Sequence, residues 1–207
     1  MSASCCNHTL EDQLRDTRYR RVLWAVLAIN AAMFLVEIIA GLAARSASLQ
    51  ADALDFFADT ANFGISLFVL GMTLRHRAGA ALAKGVTMGL FGMWVLVTSV
   101  WHVVYGTVPQ ATTMGMIGVA ALSANVASFA LLWAYRAGDS NMRSVWLCSR
   151  NDVIGNLAVL LAALGVFETG TGWPDVMVAA IMGGLALQGA WLVIRLALAE
   201  LQLRPVR

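Results

Sequence analysis

The sequence predicts an all-α polytopic membrane protein with six transmembrane helices and both termini in the cytoplasm. The chain has 207 residues, 59% of them hydrophobic and 13% charged, with a mean hydropathy of +0.72. A soluble domain is roughly 25% charged, so this chain has too few polar residues to cover a globule in water. The apolar residues form six runs, each near the ~20 residues that a helix needs to cross a bilayer.

The six predicted spans are separated mostly by Gly, Pro and polar residues, which favour turns. The spans cover residues 22–44, 48–74, 80–105, 112–135, 144–167 and 173–200. The chain is thus expected to have a cytoplasmic N-terminal tail (1–21), a six-helix transmembrane domain (22–200) and a short cytoplasmic C-terminal tail (201–207). No secretory signal is expected, because the first 21 residues are polar and charged.

The basic residues set the predicted orientation, since Lys and Arg concentrate in cytoplasmic loops. Arg45 lies in an opposite-side link and Arg150 within the fifth span. The other basic residues all fall on one side: Arg15, Arg18, Arg20, Arg21, Arg75, Arg77, Lys84, Arg136, Arg143, Arg195, Arg204 and Arg207. This pattern places both termini in the cytoplasm and the protein in a cell membrane, such as the bacterial inner membrane.

Several functional classes lack their motifs in this sequence. No basic patch with interleaved aromatic residues indicates nucleic-acid binding. No Gly-rich phosphate loop with Lys indicates ATP use, and no HExxH metalloprotease motif is present. Three cysteines, two of them adjacent, do not form a disulfide framework.

Three carboxylates lie within the second predicted span. The segment ADALDFFADTANFG, residues 51–64, contains Asp52, Asp55 and Asp59 at helical spacings that place them on one face. A charge at the bilayer centre costs on the order of 3 kcal/mol, so charged residues persist there where they have a function. Asp55 and Asp59 are one turn apart and can reach a common ion.

The fifth span carries a matching pair, Cys148 and Asp152, four residues apart and at a similar depth. The two pairs together predict one four-ligand cation site made of Asp55, Asp59, Cys148 and Asp152. The alternatives are structural carboxylates bonded to neighbouring helices, and a cysteine that packs as a small hydrophobic residue.

Other polar residues have weaker assignments. Asp52 is interpreted as an outer-shell or exit-path carboxylate, with an ordinary interfacial role as the alternative. Glu37 is a candidate for a proton path. The N-terminal segment SCCNH offers Cys5, Cys6 and His8 as an accessory metal-capture group, and chance cysteines in a disordered tail are the alternative.

Two runs resemble a known family. SASLQADALDFFADTANFGISLFVLG resembles the second helix of the cation diffusion facilitators, also called the cation efflux family. CSRNDVIGNLAVLLAALG, followed by GWPDVMVAAIMGGLALQGAWLVIRLALAEL, resembles their fifth and sixth helices. The resemblance implies that Asp55, Asp59 and Asp152 are metal ligands, with Cys148 where the family usually has His or Asp.

The resemblance also implies a homodimer. The family commonly adds a cytoplasmic metal-binding domain after the sixth helix, and this chain is expected to be a short form without it. Its dimer would then be held by transmembrane helices. Gly85, Gly89 and Gly92 of the third span are a candidate packing surface, since small residues let membrane helices approach closely.

Together these features predict a secondary active transporter that exports a divalent transition metal ion in exchange for protons. Zn²⁺ is expected first and Cd²⁺ close behind, because Zn²⁺ favours tetrahedral sites of S, N and O donors and a thiolate disfavours hard ions. Co²⁺ and Ni²⁺ are further candidates for the transported ion. The alternatives are an intramembrane aspartyl hydrolase, since paired Asp residues can share a proton, and a non-transporting membrane scaffold.

Overall fold

The computed structural model describes residues 5–68, 74–135 and 140–202, and these form six α-helices with no strand among them. The helices are α1 (Cys5–Ala44), α2 (Ala47–Phe68), α3 (Leu74–Tyr105), α4 (Ala111–Leu132), α5 (Ser140–Thr169) and α6 (Trp173–Gln202). A 3₁₀ turn, Trp133–Tyr135, follows α4. Side chains are described for 17–65, 67, 76, 78–134 and 152–202. The prediction of an all-α protein is confirmed.

Three helices, α1, α3 and α5, start at least four residues before the predicted spans. Residues 5–21, expected as a cytoplasmic tail, belong to α1. The RHRAG segment, expected as a link, lies in α3, and Leu74 begins that helix instead of ending the second span. Hydropathy marks where a helix meets lipid, whereas backbone hydrogen bonds continue a helix through polar side chains.

In the part of the chain that the structure describes, five helical stretches are long and apolar enough to cross a membrane: Thr17–Ala44, Ala78–Tyr105, Ala111–Leu132, Asp152–Thr169 and Trp173–Gln202. They carry the large exposed apolar side chains, such as Leu90 on α3 and Leu161 on α5, which suit a lipid environment. The protein is therefore a polytopic membrane protein. The second predicted span is the exception, since its described part, α2, is not among these five stretches.

The polar character of α2 is explained by its position inside the bundle. It packs against α1, α3, α5 and α6, and residues 46–54 are all buried. Among the described large apolar side chains that are exposed, none belongs to α2. Since the other helices shield α2 from lipid, it can carry three aspartates at a smaller desolvation cost than a lipid-facing helix would bear.

The three links that follow α1, α3 and α5 meet at one end of the bundle. The backbone N–H of Gln110 donates to Ala44 O at 3.0 Å, which joins the first two links. Gly172 of the third link lies so close to Thr107 O of the second link that any larger side chain at this position would clash. The third link therefore packs against the second. The helices therefore alternate in direction, and the first and last helices have their outer ends on the opposite side. This agrees with the predicted common side for the termini.

The glycines of α3 do not form a free surface. A Cβ at Gly85 would lie 2.9 Å from Ile194 Cγ1, one at Gly89 3.7 Å from Ala190 Cβ, and one at Gly92 3.3 Å from Leu187 Cδ2. These partners are all on α6 of the same chain. The expectation that these glycines hold a dimer together is therefore wrong, because α6 already occupies them.

Candidate metal site

The start of α2 is fixed by a carboxylate from α6. Asp175, fully buried, accepts hydrogen bonds from Ala47 N at 2.8 Å and Ser48 N at 3.0 Å, and from the Ser46 and Ser48 hydroxyls, each at 2.6 Å. The Ser46 hydroxyl accepts the N–H of Leu49 at 3.1 Å. The first three N–H groups of α2 are thus satisfied, which fixes the helix that carries the aspartates.

Asp175 was missed by the sequence analysis. Its position in the first turn of α6 is a visible signal, because carboxylates favour helix N-termini. Nothing in the local sequence, however, indicates that the carboxylate also caps α2, more than 100 residues away along the chain.

Asp59 on α2 and Asp152 on α5 face each other across the bundle. Their carboxyl groups lie within hydrogen-bonding reach of one another. Asp59 is 8% exposed and Asp152 is partly buried, and Asp152 Oδ2 has no hydrogen-bond partner among the described residues. Two carboxylates at this separation repel each other unless a cation or a proton lies between them. The second and fifth predicted spans thus each bring one aspartate to the same place, and the role of these aspartates as metal ligands stays a prediction.

Asp55 lies on the same face of α2 as Asp59 and within electrostatic range of both Asp59 and Asp152. It is partly buried. In the described residues no three His, Cys, Asp or Glu side chains are close enough together to hold a metal ion. The described carboxylates therefore form a pair with a third member nearby, not a closed coordination sphere.

The remaining predicted ligands cannot be placed. Cys148 belongs to α5, but its side chain lies outside the described residues. The same is true of Cys5, Cys6 and His8, whose backbone opens α1. Their assignments as a metal ligand and as an accessory capture group stay predictions.

Lys84, predicted among the cytoplasmic basic residues, contacts the helix that carries the aspartates. Its ammonium group donates to Asn62 Oδ1 on α2. It is partly buried and within electrostatic range of Asp59. Asn62 follows Asp59 by three residues, so both side chains lie on the same face of α2. A positive charge therefore accompanies the carboxylate pair.

The interior also holds oxygen atoms that accept no hydrogen bond from the described residues. They include Asn30 Oδ1 on α1, Ser128 Oγ on α4 and Asn156 Oδ1 on α5, and each of these residues is at most 1% exposed. Asn30 and Asn156 use their amide N–H groups on Val26 O and Asp152 O in their own helices. The free oxygens are suited to a cation or to water, because both satisfy acceptors.

Glu37 and Asp52 form another carboxyl pair, between α1 and α2. Glu37 is 0% and Asp52 1% exposed, and their side chains lie within hydrogen-bonding reach of each other. The prediction that Asp52 has an ordinary interfacial role is not favoured, because the residue is fully enclosed. Both residues lie in the interior near the aspartates of α2.

The chain also matches the model of a known family. The model of the cation efflux transmembrane domain matches residues 23–202. The chain belongs to the cation efflux family. Members of this family are multi-pass membrane transporters and not enzymes, so the alternative of an intramembrane hydrolase is set aside.

Curated relatives support this assignment. The chain is 28% identical to the zinc transporter ZitB of Escherichia coli, over 94% of this chain and 66% of that protein. It is 24% identical to the metal cation efflux system protein CzcD of Cupriavidus metallidurans, over 86% and 60%. It is 20% identical to the cadmium, cobalt and zinc/H(+)-K(+) antiporter of Bacillus subtilis, over 83% and 60%. The chain spans less than two thirds of the length of these relatives.

Proposed function

We propose that this protein exports a divalent transition metal ion from the cytoplasm in exchange for protons, with Zn²⁺ as the first substrate and Cd²⁺ close to it. The observation that carries the proposal is the meeting of Asp59 and Asp152 inside a cation efflux transmembrane domain. Two facing carboxylates supply the negative charge that a divalent ion needs after it leaves water. A non-transporting scaffold would keep this buried charge at a cost and gain nothing from it.

The proposed ion site consists of Asp55, Asp59, Cys148 and Asp152. Asp59 and Asp152 already face each other, and Asp55 is one turn away on the same face of α2. Cys148 precedes Asp152 by one turn of α5. Since no described group of three is closed around a common point, the proposal requires that the ion draw Asp55 toward the facing pair.

The choice of ion follows from the donors. Three carboxylates and a thiolate suit a borderline ion such as Zn²⁺ or a softer one such as Cd²⁺ better than Mg²⁺ or Ca²⁺. The names of the three relatives agree with this choice, since they mention zinc, metal cations, cadmium and cobalt. Co²⁺ and Ni²⁺ are further candidates.

Proton exchange is proposed on two grounds. One relative is named as a metal/H(+)-K(+) antiporter. In addition, carboxylate and thiolate ligands bind metal in the deprotonated form, so that protons and metal ions compete for the same atoms. A site that opens alternately to the two sides then couples the two movements. The family resemblance implies a homodimer, and the protein is proposed to act as one. The dimer surface would lie elsewhere than at the α3 glycines, because α6 of the same chain covers them.

Flux measurements in liposomes test the function. Asp59→Asn and Asp152→Asn keep the side-chain shape and remove one charge each, so each should abolish Zn²⁺ flux driven by a pH gradient. Glu168→Gln is the matched control, because Glu168 is an exposed carboxylate on α5, and its flux should equal that of the wild type. Normal flux in both Asn variants would overturn the site.

A pH-sensitive dye inside the same liposomes tests the coupling. An imposed Zn²⁺ gradient should move protons in the opposite direction, and an ionophore that collapses the pH difference should remove the proton-driven component. Zn²⁺ movement with no proton movement would show a uniporter or a channel.

A further inference from the structure

A cavity lies at the outer end of the bundle, which is the end opposite the predicted cytoplasmic termini. It has a volume of about 240 Å³, which leaves room for several water molecules. Thr107 and Val108 of the α3–α4 link and Thr171 of the α5–α6 link line it, together with His102 on α3. Val108 and Thr171 are exposed, so the cavity borders the surface. Among the described residues that line it, His102 is the only one with a side chain that titrates near neutral pH.

The imidazole of His102 lacks a protein partner at one ring nitrogen. The residue is 7% exposed, and its Nδ1 has no hydrogen-bond partner among the described residues. A buried polar atom without a partner costs free energy, and water in the adjoining cavity can act as that partner. Since imidazole changes its charge between pH 5 and 8, we expect this ring to exchange protons with the solution at the outer end.

Two groups of opposite charge act on His102. Asp175 on α6 attracts a protonated imidazole, and Arg45 in the α1–α2 link repels it. The two links that line the cavity carry no charged residue. Tyr105 and Glu168 lie at the same end of the bundle, but both are exposed, so that solvent screens them from the ring. Asp175 is therefore the anion toward which a protonated His102 is drawn.

The carboxylate of Asp175 already holds the start of α2. It accepts the N–H groups of Ala47 and Ser48 and the hydroxyl groups of Ser46 and Ser48. All four donors are neutral groups. A cation attracts a carboxylate more strongly than a neutral donor does, and a buried position strengthens that attraction. A protonated His102 therefore competes with the start of α2 for the same carboxylate.

We propose that His102 and its cavity form a pH-sensitive switch: a proton that His102 takes from water in the cavity draws Asp175 away from the start of α2 and weakens the contact between α2 and α6. In the structure the outer end is closed, because its three links contact one another. Acid on the outer side therefore favours opening toward that side. The switch needs no metal ion, so it does not depend on the proposed metal ligands.

Hydrogen exchange of the full chain in metal-free detergent solution tests the switch. Exchange is followed by mass spectrometry at about pH 5.5 and about pH 7.5, on either side of the ordinary imidazole pKa of about 6.5, with labelling times corrected for the intrinsic effect of pH. Peptides that contain Ala47 and Ser48 should exchange on the order of tenfold faster at the lower pH, because their N–H groups lose Asp175 as acceptor. Equal protection at the two pH values in the wild type would overturn the proposal without recourse to any variant.

Three variants identify the group that takes up the proton. His102→Gln cannot take up a proton, so its exchange at Ala47 and Ser48 should be slow at both pH values. His102→Arg carries a permanent charge, so its exchange should be fast at both. His76→Gln is the matched control, because His76 is an exposed histidine near the other end of α3, and it should keep the pH dependence of the wild type. If that dependence persists in His102→Gln, another group is the sensor and the proposal is wrong.

Discussion

Lys84 is the residue whose position changes the chemistry expected at the aspartates. Its ammonium group is anchored to Asn62 and acts on Asp59, so part of the negative charge of the proposed site is balanced before an ion arrives. A divalent ion must then bind beside a positive charge, which weakens its binding. Weaker binding favours release, and release is half of a transport cycle.

Replacement of Lys84 tests this interpretation. Lys84→Met removes the charge and keeps the length of the side chain, so Zn²⁺ affinity in detergent should rise on the order of tenfold, or about 1.4 kcal/mol. Turnover in liposomes should fall, because release becomes slower. Lys84→Arg keeps the charge and is the matched control, with affinity near that of the wild type. Unchanged affinity in Lys84→Met would show that Lys84 has a packing role only.

Cys148 is expected to set metal preference. It occupies the place where the resemblance implies His or Asp, and a thiolate favours soft ions. Cys148→His should shift the ratio of Cd²⁺ to Zn²⁺ transport toward Zn²⁺, and Cys148→Asp should favour harder ions. The ratio is measured in liposomes with each ion at equal concentration. Equal ratios in the wild type and both variants would identify Cys148 as a packing residue.

At the scale of elements, α2 is held in place by a carboxylate on another helix. Asp175 receives two backbone N–H groups and two hydroxyl groups from the start of α2. The partial positive charge at the start of α2 and that of α6 both favour a carboxylate at this point. The cap therefore joins α6 to the helix that carries the aspartates, and it sets how far Asp55 and Asp59 extend into the bundle.

Asp175→Asn should weaken the contact between α6 and the start of α2 and lower the stability of the protein. The amide has one acceptor oxygen in place of two, and its NH₂ group would face the N–H donors of α2. Loss of bonds to a charged acceptor at a buried position predicts about 3 kcal/mol of destabilisation. Thermal unfolding in detergent measures the loss, with Glu168→Gln as the control. A melting temperature equal to that of the wild type would contradict the structural role of the cap.

At the scale of the whole molecule, four helices, α1, α3, α5 and α6, pack against α2, and the apolar helices leave large apolar side chains toward lipid. A cluster of Phe34, Phe57 and Phe91 joins α1, α2 and α3, with ring centroids 5.4 to 6.4 Å apart. The α3–α6 contact is built on glycines and closes the other side of the bundle. The interior carboxylates lie within this frame.

The glycine contact gives a matched pair of variants. A Cβ at Gly85 would lie 2.9 Å from Ile194 Cγ1 and 3.3 Å from Ile194 N, whereas one at Gly89 would have 3.7 Å to its nearest neighbour. Gly85→Ala should therefore destabilise the protein by about 1–3 kcal/mol through overpacking. Gly89→Ala should be tolerated. The melting temperatures of both variants in detergent test this difference. Equal melting temperatures would show that α3 and α6 do not pack closely in solution.

The sequence by itself determined the class of the protein and the face of α2 that carries the aspartates. Both depend on local properties: hydropathy summed over a helix, and the angle of about 100° between successive residues. The same local properties placed Asp55 with Asp59 and Cys148 with Asp152 on their helices. They also misjudged helix ends at Cys5 and Leu74, because polar side chains there continue helices past the apolar residues.

Only the tertiary structure decided which faces meet. Periodicity shows that a helix has a polar or small-residue face, but it does not identify the helix that covers that face. The α3 glycines were available for a second copy by sequence, and docking assigned them to α6. Asp175 reaches α2, Lys84 reaches Asn62 and Glu37 reaches Asp52 for the same reason. Each pair depends on how two helices pack together, and that packing results from contacts along the whole length of both helices.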